Sequence, residues 1–195
     1  MSYASTDPGP AAASRGDIDR LFLALVPDGA IAARVAALAQ GLKRAHRFTG
    51  RPIKPEHLHV TLFSLGDWEV LPPSIPARAG DALEDVQAPS FVVTFDRAVS
   101  FRSDGNYPFV LLAGENRAPL KAMRASLGAA LSRHKLGRFA RGPFTPHMTL
   151  LYDARAADEA PIAPISWTAR DIVLVHSLVG RTRHVHLVRR PLGAQ

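Results

Sequence analysis

A chain of 195 residues without cysteine excludes disulfides, thiolate metal sites and a cysteine nucleophile. Its hydrophobic content of 47% supports a real core within a single domain. No apolar run approaches the roughly 18 residues of a membrane span, so a soluble cytoplasmic protein with no membrane partner is expected. The net charge of +7, from 24 Lys+Arg against 17 Asp+Glu, favours anionic partners, RNA among them.

Met1 to Gly16 is rich in Ala, Ser, Pro and Gly and lacks an apolar signal core. It reads as a disordered tail ahead of a single domain over 17–195. Asp19–Val26 reads as a first strand. Pro27 and Asp28 open an Ala-rich helix to about His46, since Pro and an acid suit a helix start. Arg51–Pro55 is a basic connector, and His57–Gly66 is a strand closed by Gly66 and Asp67. A proline-rich link over Leu71–Pro76 precedes a short helix to about Val86. Phe91–Phe101 and Pro108–Ala113 pair as strands around the turn Ser103–Asn106. Leu120, Met123, Leu127 and Leu131 fall at helical spacing within Pro119–Leu136, with Gly137 as the cap. Pro146–Tyr152 is another strand, Ala154–Pro164 a loop, and Asp171–Val179 with Thr182–Arg189 a final hairpin.

Two of these strands carry the same pattern: His59-Val60-Thr61-Leu62 and His147-Met148-Thr149-Leu150. Random placement gives about 0.04 expected His-x-Thr-Leu matches, and two independent matches have a chance on the order of one in a thousand. Strand side chains alternate, so each copy aims one imidazole and one hydroxyl the same way. Val60, Leu62, Met148 and Leu150 then point into a core. Two imidazoles can divide acid and base roles near neutral pH, and two hydroxyls can hold phosphate oxygens. This is equipment for phosphoester chemistry without a metal or other cofactor. The order of elements repeats with a period of 88 residues, from His59 to His147. An α+β fold follows: a bilobal duplication of two sheets, each backed by a helix, facing across a cleft.

Other residues near the motifs are weaker candidates. Lys54, Arg51 and Arg141 flank them as possible contacts for RNA phosphates, and Phe144 and Tyr152 as platforms for a base. His57 shares a face with His59 and reads as an outer-edge histidine. Arg181, Arg183, Arg189 and Arg190 read as a solvated face. His184 and His186 lack the carboxylate or thiolate companions of a zinc site, and no metal is expected. His46, His134 and His176 suggest no role.

The stretches Lys54–Leu62 with Leu65-Gly66-Asp67, and Phe144-Thr145-Pro146-His147-Met148-Thr149-Leu150, resemble the two-histidine phosphoesterases. Within them the resemblance is to the bacterial RNA 2′,3′-cyclic phosphodiesterases, also known as 2′-5′ RNA ligases. It runs from about Arg20 to about Leu192 and includes Ser177–Arg183. It implies a bilobal fold of two antiparallel sheets, His59 as proton donor, His147 as proton acceptor, and Thr61 and Thr149 on the phosphate oxygens. The substrates implied are RNA ends or small cyclic nucleotides, handled by a monomer. His184 departs from the pattern, where an aromatic such as Tyr is expected. 2′-5′ ligation, hydrolysis of small cyclic nucleotides and non-catalytic RNA-end binding stay open beside hydrolysis of cyclic RNA ends.

Overall fold

A computed structural model describes residues 18–114 and 117–193. The Met1–Gly16 segment lies outside the described residues. In chain order the elements are β1 (Ile18–Leu25), α1 (Gly29–Ala45), β2 (Val60–Trp68), α2 (Ser74–Glu84), β3 (Phe91–Ser100) and β4 (Tyr107–Ala113). They continue as α3 (Ala118–Arg133), β5 (His147–Asp153), β6 (Ala160–Ala169), β7 (Asp171–Val179) and β8 (Arg183–Pro191). The strands form two four-stranded antiparallel sheets, ordered β2-β1-β7-β8 and β5-β4-β3-β6. Each motif strand, β2 and β5, is an edge strand of its own sheet.

The 88-residue repeat extends well beyond the motifs. Ala32, Val35 and Ala39 are the buried stripe of α1, and their partners 88 residues on, Leu120, Met123 and Leu127, are buried on α3. Both helices end alike. The Phe48 N–H donates to the Lys43 carbonyl (3.0 Å) and the Leu136 N–H to the Leu131 carbonyl (2.7 Å). Arg47 (φ 55°) and Lys135 (φ 61°) hold the left-handed position that such helix ends demand. Gly137 is therefore not the cap; it begins a one-turn 3₁₀ helix, Gly137–Phe139. From Arg47 to His59, and from Lys135 to His147, the chain has the same length.

The helices tie the halves together. α1 lies against β5 and β6 of the other sheet, while α3 packs on β3 and also reaches β2, where Arg124 Nε donates to the Leu62 carbonyl (3.1 Å). One continuous core results, spanning Leu21 and Leu23 of β1, Phe95 of β3 and Leu127 and Leu131 of α3. The opposite sheet faces carry small apolar clusters of their own: Phe22, Ala24, Val173 and Val175 on one, Val99, Phe101, Val110 and Leu112 on the other.

Two further expectations are corrected. Ala154–Pro164 is not all loop, because Ala160 starts β6. Pro161 and Pro164 hide it in the sequence, yet an edge strand tolerates proline since its outer donors need no partner. Gly66 does not close β2 either. It sits at φ 104° where the pairing slips between Arg20–Asp67 and Phe22–Ser64, and the strand runs on to Trp68. A glycine at a bulge lets the ladder continue.

Candidate active site

His59 stands just before β2 and His147 is the first residue of β5. Val60, Leu62, Met148 and Leu150 are buried in the core, as the alternation requires. The two imidazoles are held identically. His59 Nδ1 lies 2.7 Å from the His57 carbonyl, and His147 Nδ1 lies 2.7 Å from the Thr145 carbonyl. A carbonyl oxygen only accepts, so Nδ1 donates in both rings, and the two imidazoles share one orientation. An aromatic ring supports each imidazole. Phe22 stacks on His59 (centroids 4.6 Å apart), and Phe101 meets His147 edge-on (4.8 Å).

The motif strands lie against each other where the sheets meet, and residues 49–53 stitch them together. The Ile53 N–H donates to the Leu150 carbonyl at 2.7 Å. The N–H groups of Thr49 (2.6 Å) and Gly50 (2.7 Å) donate to one oxygen of Asp153, and the Arg155 N–H (2.9 Å) to the other. Asp153 is buried, which opposes its ionisation. The donors from Gly50, Arg155 and Thr49 outweigh that and hold its carboxyl below the ordinary carboxylate range.

A cleft of about 280 Å³ opens at this junction. His59, Thr61 and Ser64 line it from β2 and the residue before it, Thr149 and Tyr152 from β5. The tip of the β7–β8 hairpin, from Ser177 to His184, closes one side. His147 does not line it. Its face is that of Thr149, but only 6% of it is exposed, so the expectation that both imidazoles stand in a wet cleft holds for the half-buried His59 alone. Packing against Phe101 accounts for the difference.

The weaker candidates separate. Tyr152 lines the cleft. Lys54 is exposed and does not line it, because Pro55–His57 forms a 3₁₀ turn that carries it outward. Arg141 lies in a different depression, and Phe144 packs against the Arg124 guanidinium with its ring centroid 4.4 Å away. His46 packs on Phe48, His134 bonds Asp85 and His176 bonds Asp19, so all three are structural.

His57 is not the outer-edge residue that the sequence suggested, and His184 joins it in the site. Both line the cleft, with their rings 4.3 Å apart, and His184 is 5.6 Å from His59. Burial, with His59, His57, His186 and Arg20 nearby, pushes the His184 imidazole down to about 3. It is neutral throughout the working pH range. Its unfolded value is near 6.5, so the unfolded chain takes up this proton first and acid favours unfolding. Stability linked to His184 is full above pH 6.5 and falls as the pH drops towards 3. His184→Phe should flatten the fall in Tm between about pH 6.5 and pH 4, as thermal melts across that range would record. An unchanged profile would contradict the assignment. His57 is lowered in the same direction, chiefly by burial.

Among the described residues, no group of three or more His, Asp or Glu is arranged to hold a metal ion.

A family model described as the 2′-5′ RNA ligase superfamily matches residues 21–190. No curated protein sequence matches the chain. Among solved structures, E. coli LigT in its apo form is 26% identical, with a TM-score of 0.65 over 91% of this chain and 99% of that one. A structure described as a phosphoesterase is 25% identical, with a TM-score of 0.67 over 90% and 99%. Kluyveromyces marxianus Usb1, 13% identical with a TM-score of 0.53 over 90% and 98%, shares the fold. E. coli LigT has been crystallised with phosphate and with 3′-AMP. The match over most of the chain, on a fold of two antiparallel sheets with a repeated His-x-Thr strand, places the chain in the 2′-5′ RNA ligase superfamily, to which it belongs.

Proposed function

We propose that the chain hydrolyses 2′,3′-cyclic phosphate ends of RNA to a 2′-phosphate without a metal, with His59 as acid and His147 as base. The observation that carries this reading is the matched pair of Nδ1–carbonyl bonds. They give two histidines the same tautomer, with Nε2 the nitrogen that carries the proton transfer in this reading. Neutral His147 takes a proton from water as the water oxygen attacks phosphorus. The bond from phosphorus to the 3′ oxygen breaks, and protonated His59 gives that oxygen its proton. Transfer of this kind contributes roughly 10²–10⁴-fold for each group. Thr61 and Thr149 donate to the charge that grows on the non-bridging oxygens. Crystallisation of E. coli LigT with phosphate and 3′-AMP agrees with a site of this chemistry. The family's name favours a second reading, in which the 5′ hydroxyl of a second strand takes the place of water, the bond from phosphorus to the 3′ oxygen breaks, and the same groups join the two strands by a 2′–5′ bond.

Incubating the purified chain with a 2′,3′-cyclic mononucleotide in EDTA, and locating the product phosphate by ³¹P NMR, tests the first reading. A 2′-phosphate is expected, and kcat/KM should follow a bell in pH whose limbs belong to the coupled pair. A rate that vanishes in EDTA would refute it. An RNA with a cyclic end plus an acceptor strand separates joining from hydrolysis. Thr61→Val and Thr149→Val keep the shape and remove the hydroxyl. Each should lower kcat by about 100-fold, less than loss of either imidazole, and full activity in both would remove the threonines from the mechanism.

A further inference from the structure

On the far side of β2 from the cleft lies a second depression, between β2, α3 and the 3₁₀ turn Gly137–Phe139. Arg124, Arg138 and Arg141 line it, with Phe63, and no carboxylate does. Arg124 is its fixed element. The guanidinium is clamped between two rings, 4.2 Å from the Phe63 centroid and 4.4 Å from that of Phe144, and its Nε is committed to the Leu62 carbonyl. Two aromatic faces and one carbonyl orient a guanidinium but do not neutralise it, and burial holds its pKa below the ordinary arginine value. A half-buried cation held between two rings beside two exposed ones is arranged for a phosphate oxyanion, which a guanidinium binds through two parallel donors.

The fold itself does not require this arrangement. In the internal repeat, Arg124 corresponds to Ala36, Phe63 to Leu151 and Phe144 to Glu56, so the first half folds the same way without it. Arg124 also interrupts an apolar stripe, since it falls four residues after Leu120 and one after Met123.

We propose that Arg124, Arg138 and Arg141 form a phosphate-binding site outside the cleft. A phosphodiester of an RNA strand and a free phosphate ion present the same chemistry to it. The site shares β2 with the cleft, through Phe63 on one side and Thr61 and Ser64 on the other, so an RNA whose end occupies the cleft has a second anchor on the same β-strand.

The test uses the full ¹⁵N-labelled chain and follows the Arg124 Nε–H resonance by NMR. One arm titrates inorganic phosphate; the other titrates a single-stranded RNA 8-mer with ordinary hydroxyl ends, which brings no cyclic phosphate to the cleft. Saturable movement of the Arg124 signal is expected, with a Kd raised at least threefold by Arg138→Gln, a change to an exposed side chain that lies over the ring of its neighbour Phe139. A response to the 8-mer at lower concentration, and steeper in salt, identifies the RNA backbone as the source. Equal responses to both probes identify a free phosphate, and either result supports the site. An Arg124 signal that moves with neither probe, or with the same Kd in Arg138→Gln, overturns it. Turnover of a cyclic mononucleotide, measured on the same sample, reports on the cleft alone, so failure of the proposed reaction is read separately.

Discussion

His59→Ala and His147→Ala should each lower kcat/KM on a 2′,3′-cyclic mononucleotide by on the order of 10³-fold, because each removes one proton-transfer group from a reaction that needs both. Their effects on stability should differ. His59 is half-buried at the cleft wall, and its loss removes the stack on Phe22, the bond to the His57 carbonyl and the contact with His184 without opening a buried cavity. His147 is 6% exposed and packed edge-on against Phe101, so truncating it opens a hole beside β3 and β4. A loss of about 1–3 kcal/mol is expected there, with a matching fall in Tm. Stopped assays and thermal melts on both variants check this. Substantial turnover by either variant would remove that histidine from the mechanism, and equal melting temperatures would contradict the burial of His147. His147→Asn separates the two effects, since it partly fills the space but cannot serve as a base at neutral pH.

Gly50→Ala should be the most damaging methyl among the described glycines. A Cβ at Gly50 falls inside the van der Waals radius of the Tyr152 carbonyl oxygen, a backbone atom of β5 that has no room to retreat. The loop must withdraw, and it takes the Thr49 and Gly50 N–H donors away from the buried Asp153 carboxylate. Each hydrogen bond to a charged group contributes roughly 1.5–3 kcal/mol, so a loss of about 3–5 kcal/mol is expected. For a chain of this size that lowers Tm by roughly 10 °C. Because Tyr152 lines the cleft beside Thr149, activity should fall as well, even below the melting transition. A Gly50→Ala variant that melts like the parent would show that residues 49–53 do not join the halves.

The motif strands and the duplication were legible in the sequence because period-two burial and identical short patterns are local. His59, Thr61, Thr149 and the four apolar residues between them lie on the faces that alternation assigns. β6 was not legible, since Pro161 and Pro164 are ordinary loop signals and only its place at a sheet edge excuses them. His184 and His57 were set aside because their meeting depends on β8 reaching back to β1 through β7, a pairing that no local pattern encodes. Phe101 and Gly50 carry no motif either. Their importance arises from contacts with His147, 46 residues further on, and with Tyr152, 102 residues further on. Arg124 did leave a readable signal, a cation on an apolar helical stripe, which a reading for periodicity alone passes over.

The strand orders set a timetable for folding. The sheet β5-β4-β3-β6 is built from one continuous stretch, residues 91–169, and can close as soon as that stretch has left the ribosome. The other sheet joins β1 to β7, with Ile18 opposite Val179, so its first strand waits for nearly the last to be made. During that wait β1 and β2 form only a two-stranded ribbon, which is marginal by itself. The apolar residues of α1 have β5 and β6 to settle on before their own sheet exists, because α1 packs across the halves. That crossing gives α1 an apolar partner before the hairpin β7–β8 arrives. That same hairpin walls the cleft, so the site is completed by the last strands to be synthesised and a chain truncated before Asp171 holds neither the full sheet nor the pocket.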